Sequence, residues 1–236
     1  MKRPKLFLFH FAGGNCYSYQ FLTPYLAAFD VVATELPGRG RRIKESLIHD
    51  FDAAAMDLYR QVSNSVQHTP FLIYGHSMGA YLALRVVNLL ERAGKYPHAL
   101  IVSGNAGPGL EKPDKVMRYQ LDRPAFIEVL KELGGMPEEL LENELLFEIF
   151  EPVLRADFEI TERNRIAEEA AVHAPLFALM GSRENDVADI DNWARFTKGR
   201  FERAVLKGDH FFIRNHAQRM ADIITRLYYH EVGIQG

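Results

Sequence analysis

Phe71-Leu72-Ile73-Tyr74-Gly75-His76-Ser77-Met78-Gly79-Ala80 decides how this chain folds. An apolar run leads into Gly-x-Ser-x-Gly, and a helix-forming run follows it. The need for glycine at both flanking places is steric. A serine held on a strained strand-to-helix turn has backbone crowded against it, and a side chain two residues before or after would collide with that backbone. With Gly75 and Gly79 in those places, the Ser77 hydroxyl projects at the top of a sheet. The helix beginning there aims its first backbone N–H groups at the same point, where they favour negative charge. The bare pentapeptide is a weak signal. Between an apolar strand and a helix it reads as a nucleophile.

Working outward, short apolar runs bounded by glycine or proline recur at 6–10, 31–36, 71–74, 99–102, 176–180 and 201–206. Rich in Val, Ile, Leu and Phe, they suit strands buried on both faces. Helix-like stretches lie between them at 53–67, 80–93, 189–197 and 217–229. The alternation predicts an α/β fold, a mainly parallel sheet flanked by helices, with ligands bound beyond the carboxyl ends of the strands. The stretch 108–171 breaks the pattern: it shows no strand and several amphipathic helical patterns. Asp122 with Pro124 can open a helix that Gly134-Gly135 closes; further helices are expected at 138–146 and 146–160. At 236 residues, the chain exceeds the usual domain of roughly 150. The expectation is one domain over 1–236 carrying a helical insertion at 108–171, ahead of the strand at 176–180.

Composition removes several classes. Lys and Arg number 28 against 31 Asp and Glu, a formal charge of -3, so neither nucleic acid nor a membrane surface is favoured as partner. A lone cysteine, Cys16, rules out an internal disulfide framework and a Cys-rich metal site. Lys2, Arg3 and Lys5 before Leu6–Phe9 faintly resemble a signal peptide, but His10 interrupts the run and no cleavage pattern follows. No run of about 20 apolar residues occurs. A cytoplasmic protein is expected.

A serine hydroxyl needs a base. Of nine histidines, His210 alone follows the last strand and precedes the last helix, at the same sheet edge as Ser77 and after it in the chain. That is the order nucleophile, acid, base of the α/β-hydrolase fold. The acid belongs on the loop after 176–180, where Glu184 and Asp186 divide the choice; either would hold the imidazole tautomer and stabilise its cation. Asp189 and Asp191 read as helix-start residues before Trp193. Oxyanion donors are expected at the backbone N–H of Met78 and, from the turn after the first strand, of Ala12. Arg39, Arg41 and Arg42 lie on a loop at this edge, as solvated turn residues or as a meeting point for phosphate or an acidic protein face. Cys16 reads as packing.

On these residues the sequence resembles the type II thioesterases that accompany nonribosomal peptide and polyketide synthases. The resemblance covers nearly the whole chain: His10-Phe11-Ala12-Gly13-Gly14, Glu35-Leu36-Pro37-Gly38-Arg39 and Gly75–Ala80 in the core. Leu133–Leu140 and Pro152–Phe158 fall in the insertion, and Trp193 and Gly208–Phe212 complete the set. The resemblance implies hydrolysis of acyl groups from the phosphopantetheine arm of acyl or peptidyl carrier proteins. It also implies a mobile lid at 108–171 over an acyl pocket, and no cofactor beyond the arm carried by the partner. The family usually carries Asp as its acid, and often an acidic residue where this chain has Gly40. A monomer is expected. A carboxylesterase or lipase on the same fold is the alternative enzyme reading, and a pocket that binds without turnover the non-enzyme one.

Overall fold

Lys5–Phe9 forms β1, and its side chains divide by parity: Phe7 and Phe9 enter the core on one face, Leu6 and Leu8 the core on the other. Phe71–His76 (β3) repeats the division, with Phe71 and Ile73 on the first face and Leu72 and Tyr74 on the second. Burial on both faces is why these runs read as continuously apolar. The structure, a computed structural model, describes residues 3–67, 69–110 and 116–234. Among them six strands form one sheet in the order β2-β1-β3-β4-β5-β6, where β2 is Asp30–Ala33, β4 Leu100–Ser103, β5 Leu176–Gly181 and β6 Phe201–Leu206. Every neighbouring pair is parallel. All carboxyl ends therefore point to one edge, and the loops that leave them share it. This is the parallel α/β architecture expected from the alternation of apolar runs and helical patterns.

Helices cover both faces. Phe51–Val66 (α1) starts at Asp50, whose side chain accepts the Ala53 N–H at 2.8 Å, and it buries Ala54, Leu58 and Val62. Met78–Arg92 (α2) lies on the same face and buries an almost unbroken row from Met78 to Val87. The other face carries Ala217–Ile234 (α6), with Met220, Ile224 and Leu227 in its core. The stretch expected as a helix at 189–197 is instead a 3-10 run, Val187–Phe196. Its winding follows what its side chains reach. Trp193 Nε1 donates to the Asn105 carbonyl, and Asn192 Nδ2 to those of Ala106 and Pro108.

Between β4 and β5 the described residues form Arg123–Leu133 (α3), Glu138–Glu142 (α4) and Glu144–Glu162 (α5). Asp122 caps α3, with the Ala125 N–H at 3.0 Å, and Gly134 ends it at φ +71°. The boundary expected at Leu146 falls at Asn143, whose Oδ1 accepts the Leu146 N–H and starts α5 anew. These helices keep a small core of their own, Phe126, Leu130, Leu141, Phe147, Leu154 and Phe158. Among the described residues no helix is long and apolar enough to cross a membrane.

Candidate active site

Ser77 stands where β3 becomes α2, at φ +56° and ψ −117°, a left-handed conformation that a non-glycine residue adopts only under constraint. The constraint is visible on both sides. A Cβ on Gly75 would lie 2.1 Å from the Gly79 carbonyl oxygen, and one on Gly79 would lie 2.3 Å from that of Phe9. The elbow is therefore pressed against its own helix and against the end of β1. Ser77 N–H donates to the Ser103 carbonyl at 2.7 Å, and Asn105 Nδ2 holds the Ser77 carbonyl at 2.9 Å. Asn105 was not foreseen; it follows a strand in a loop of small residues and carries no motif. Helix α2 begins at Met78, two residues ahead of the expected 80, so the Met78 N–H belongs to a first turn with no intrahelical acceptor.

His210 lies just past β6 and bonds on both ring nitrogens: Nε2 to Ser77 Oγ at 3.0 Å and Nδ1 to Glu184 Oε2 at 2.9 Å. The carboxylate of Glu184 is itself fixed, since Oε1 accepts the Gly181 N–H at 2.7 Å. Of the two acids between which the sequence divided the choice, Glu184 is the one bonded to His210. Asp186 begins the 3-10 run and lines the same cavity, near Tyr81. Burial, and then the Asp186 carboxylate, push the Tyr81 phenol up to about 12, so it stays protonated as a wall of the cavity. His76, the variable position of the elbow, is fully buried; its Nδ1 meets Ser103 Oγ, which also meets the Tyr74 hydroxyl, both at 2.8 Å. Its ring packs 5.0 Å from that of His210. Burial first, and then the neighbouring His210, hold His76 well below the usual histidine range, so it supports His210 as a neutral ring.

The turn after β1 closes the other side. Gly14 N–H donates to the Phe11 carbonyl at 2.9 Å, and Gly13 takes φ +75°, the value a type II turn requires at its third position. His10 is buried; its Nδ1 donates to the Phe11 carbonyl at 2.9 Å while Nε2 accepts the Leu36 N–H at 3.4 Å. Burial, and then the Arg39 charge, lower its pKa to about 4, which keeps that tautomer neutral. Ala12, Gly13 and Ser77 line one cavity of about 560 Å³. Apolar side chains of the inserted helices also line it, Leu130 of α3, Leu140 of α4 and Phe150, Leu154 and Phe158 of α5, together with Met136 from the loop after α3.

The arginine loop meets the expectation of a solvated turn at Arg41, which is exposed, and departs from it at Arg39. Arg39 is buried and forms a two-pronged pair with Asp157 of α5, at 2.5 and 2.8 Å. Arg42 pairs with Asp57 and Glu45, and Arg41 lies over the Tyr17 ring. Gly40 is explained by Glu35: at φ +48° a Cβ there would fall 2.0 Å from Glu35 Oε1. That carboxylate is already engaged by the N–H groups of Cys16 and Arg41. Cys16 packs as expected, and burial, with Glu35 beside it, pushes its thiol up.

A parallel sheet with a serine on a strained elbow after β3, an acid after β5 and a histidine after β6 defines an enzyme of the α/β-hydrolase fold. Residues 4–228 match the Thioesterase family, described as a thioesterase domain, and the chain belongs to that family. It is 33% identical to linear gramicidin dehydrogenase LgrE of Brevibacillus parabrevis, over 98% of this chain and 90% of that one. It is 28% identical to thioesterase PikA5 of Streptomyces venezuelae, over 92% of this chain and 77% of the relative. Among solved structures it superposes on YbtT, a type II thioesterase from the yersiniabactin NRPS/PKS biosynthetic pathway. That match has a TM-score of 0.88 at 30% identity and covers 98% of this chain and 94% of YbtT. The first name denotes a redox enzyme; the family and the other two names denote thioesterases.

Proposed function

We propose that this thioesterase frees acyl groups from the phosphopantetheine arm of acyl or peptidyl carrier proteins of peptide or polyketide synthases. It does so as a monomer in the cytoplasm and draws on no cofactor of its own. Ser77 is the nucleophile, His210 the general base and Glu184 the orienting acid. The observation that carries the reading is the line of hydrogen bonds Glu184–His210–Ser77, 2.9 and 3.0 Å, opening onto a cavity that Leu130, Phe150, Leu154 and Phe158 of α3 and α5 help to line.

Ser77 Oγ attacks the thioester carbonyl while His210 Nε2 takes its proton. Glu184 holds Nδ1–H toward itself, so Nε2 is the free acceptor, and it stabilises the imidazolium that forms. The oxyanion of the tetrahedral intermediate is met by the N–H groups of Met78 and Ala12. On collapse the C–S bond breaks, His210 returns the proton to the carrier thiol, and the acyl group stays on Ser77. Water, deprotonated by His210, then attacks the ester and releases the acid and the free serine. The acyl chain lies along those apolar side chains, and α3 to α5 act as the lid that excludes bulk water from the acyl-enzyme.

The test is a panel of short to medium acyl groups loaded on a carrier protein, assayed with wild type and Ser77→Ala. Turnover by wild type and none above background by Ser77→Ala is expected. A strong preference for simple oxygen esters over carrier thioesters would overturn the substrate assignment.

A further inference from the structure

The oxyanion turn is gripped from outside the sheet. In a trans peptide the C=O and the following N–H point in opposite directions. The Ala12 N–H shares its peptide with the Phe11 carbonyl, which receives both His10 Nδ1–H and Gly14 N–H, so the conformation of the whole turn from Phe11 to Gly14 decides how that N–H is presented. The next peptide, between Ala12 and Gly13, is free to flip by rotation at its two flanking residues, which is how type I and type II turns differ. Its N–H is claimed by Asp157 Oδ2 at 2.8 Å. Asp157 sits on α5, is fully buried, and has its charge balanced by the two-pronged contact with Arg39, itself on the loop after β2. One turn earlier on the same helix, Leu154 presses on Gly13 so closely that a Cβ there would lie 2.6 Å from its Cδ2.

We propose that Asp157 is a positioning residue for the hydrolysis: by anchoring the Gly13 N–H it fixes the turn whose Ala12 N–H receives the oxyanion, with Arg39 holding its carboxylate in place through two hydrogen bonds. The inference rests on the oxyanion assignment above. An ionised acceptor binds an N–H about twice as strongly as a neutral one, so the charge selects one orientation of the central peptide. The arrangement also makes the oxyanion site complete only while α5 is seated. An α5 that lifts away takes Asp157 with it and leaves Arg39 buried without its partner.

Two variants separate positioning from stability, because each is expected to lower one and leave the other near wild type. Arg39→Lys keeps a positive charge and leaves Asp157 to hold Gly13, but loses the second prong. It is expected to melt lower while kcat stays near wild type. Arg39→Met with Asp157→Leu replaces a buried ion pair by apolar groups, an exchange often neutral for stability. Its melting temperature is expected near wild type, while kcat falls about 10- to 100-fold at unchanged KM. The affinity for a trifluoromethyl ketone analogue, which presents a tetrahedral oxyanion, should fall by the same factor as kcat. If kcat follows melting temperature through both variants, or if KM rises by the factor by which analogue affinity falls while kcat is unchanged, Asp157 is only structural and the proposal is overturned.

A measurement on the wild type needs no variant to fold. The Gly13 amide proton should be shifted downfield and protected from exchange, and free exchange there overturns the anchor. Activity surviving in Ser77→Ala would instead overturn the assignment on which the inference rests, so the two failures are distinct.

Discussion

At the scale of single residues, the acid is the sharpest choice. Glu184 bonds His210 through one oxygen and is steadied by the Gly181 N–H through the other, while Asp186 lines the cavity. Glu184→Gln is expected to lower kcat on the order of 10³–10⁴-fold, because an amide favours the wrong imidazole tautomer. Asp186→Asn should cost far less, and steady-state kinetics on a carrier-bound thioester checks both; comparable losses would move the acid. Ser77 and His210 were legible because each stands in a local pattern, a strand running into a glycine-bounded turn. Between Glu184 and Asp186 the sequence could not choose, since chain spacing alone does not say which carboxylate reaches a ring 26 residues away. The pairing of Asp157 was hidden for a stronger reason: Arg39, its partner, lies 118 residues off, and no periodicity joins the two stretches. The arginines looked like surface features because burial of a charge depends on a partner that only the fold supplies.

At the scale of elements, helix α5 carries two testable features. Asn143 caps it through the Leu146 N–H, so Asn143→Ala is expected to destabilise the protein by about 1 kcal/mol. Pro152 interrupts the middle of the same helix, at an exposed position, and deprives the Glu148 carbonyl of its N–H. Pro152→Ala should stabilise α5 by about 1–3 kcal/mol, seen as slower amide exchange along Glu144–Glu162; unchanged exchange would show that the proline is already accommodated. The inner strands β1, β3, β4 and β5 were readable because burial on both faces leaves unbroken apolar runs. Strands β2 and β6, expected to be buried alike, are partly exposed because they are the edges of the sheet. The break at Asn143 and the 3-10 winding of Val187–Phe196 were not readable. Both are decided by single side-chain bonds, and the second by tertiary ties from Asn192 and Trp193 to the loop after β4.

At the scale of the whole molecule, two buried neutral histidines tie stability to pH. His10 has an unfolded value of 6.5 and a folded value of about 4. Between those limits the unfolded chain takes up a proton that the folded protein refuses. Its contribution is fully present above pH 6.5 and is lost as the pH falls toward 4, by about 1.4 kcal/mol per unit. His76, also lowered, acts in the same direction. Urea unfolding from pH 7 to 4.5 should therefore show stability declining toward acid, and a flat profile would mean that neither ring is kept neutral. A different consequence follows from the chain positions of the proposed triad. The elbow serine is made early, but its base arrives 133 residues later, beyond the final strand of the sheet. A nascent chain that has emerged only through β5 lacks Glu184 and His210, and with them the proposed means of driving the attack. Reactivity is thus withheld until synthesis is nearly over, and a ribosome-stalled fragment is a bystander to the thioesters around it.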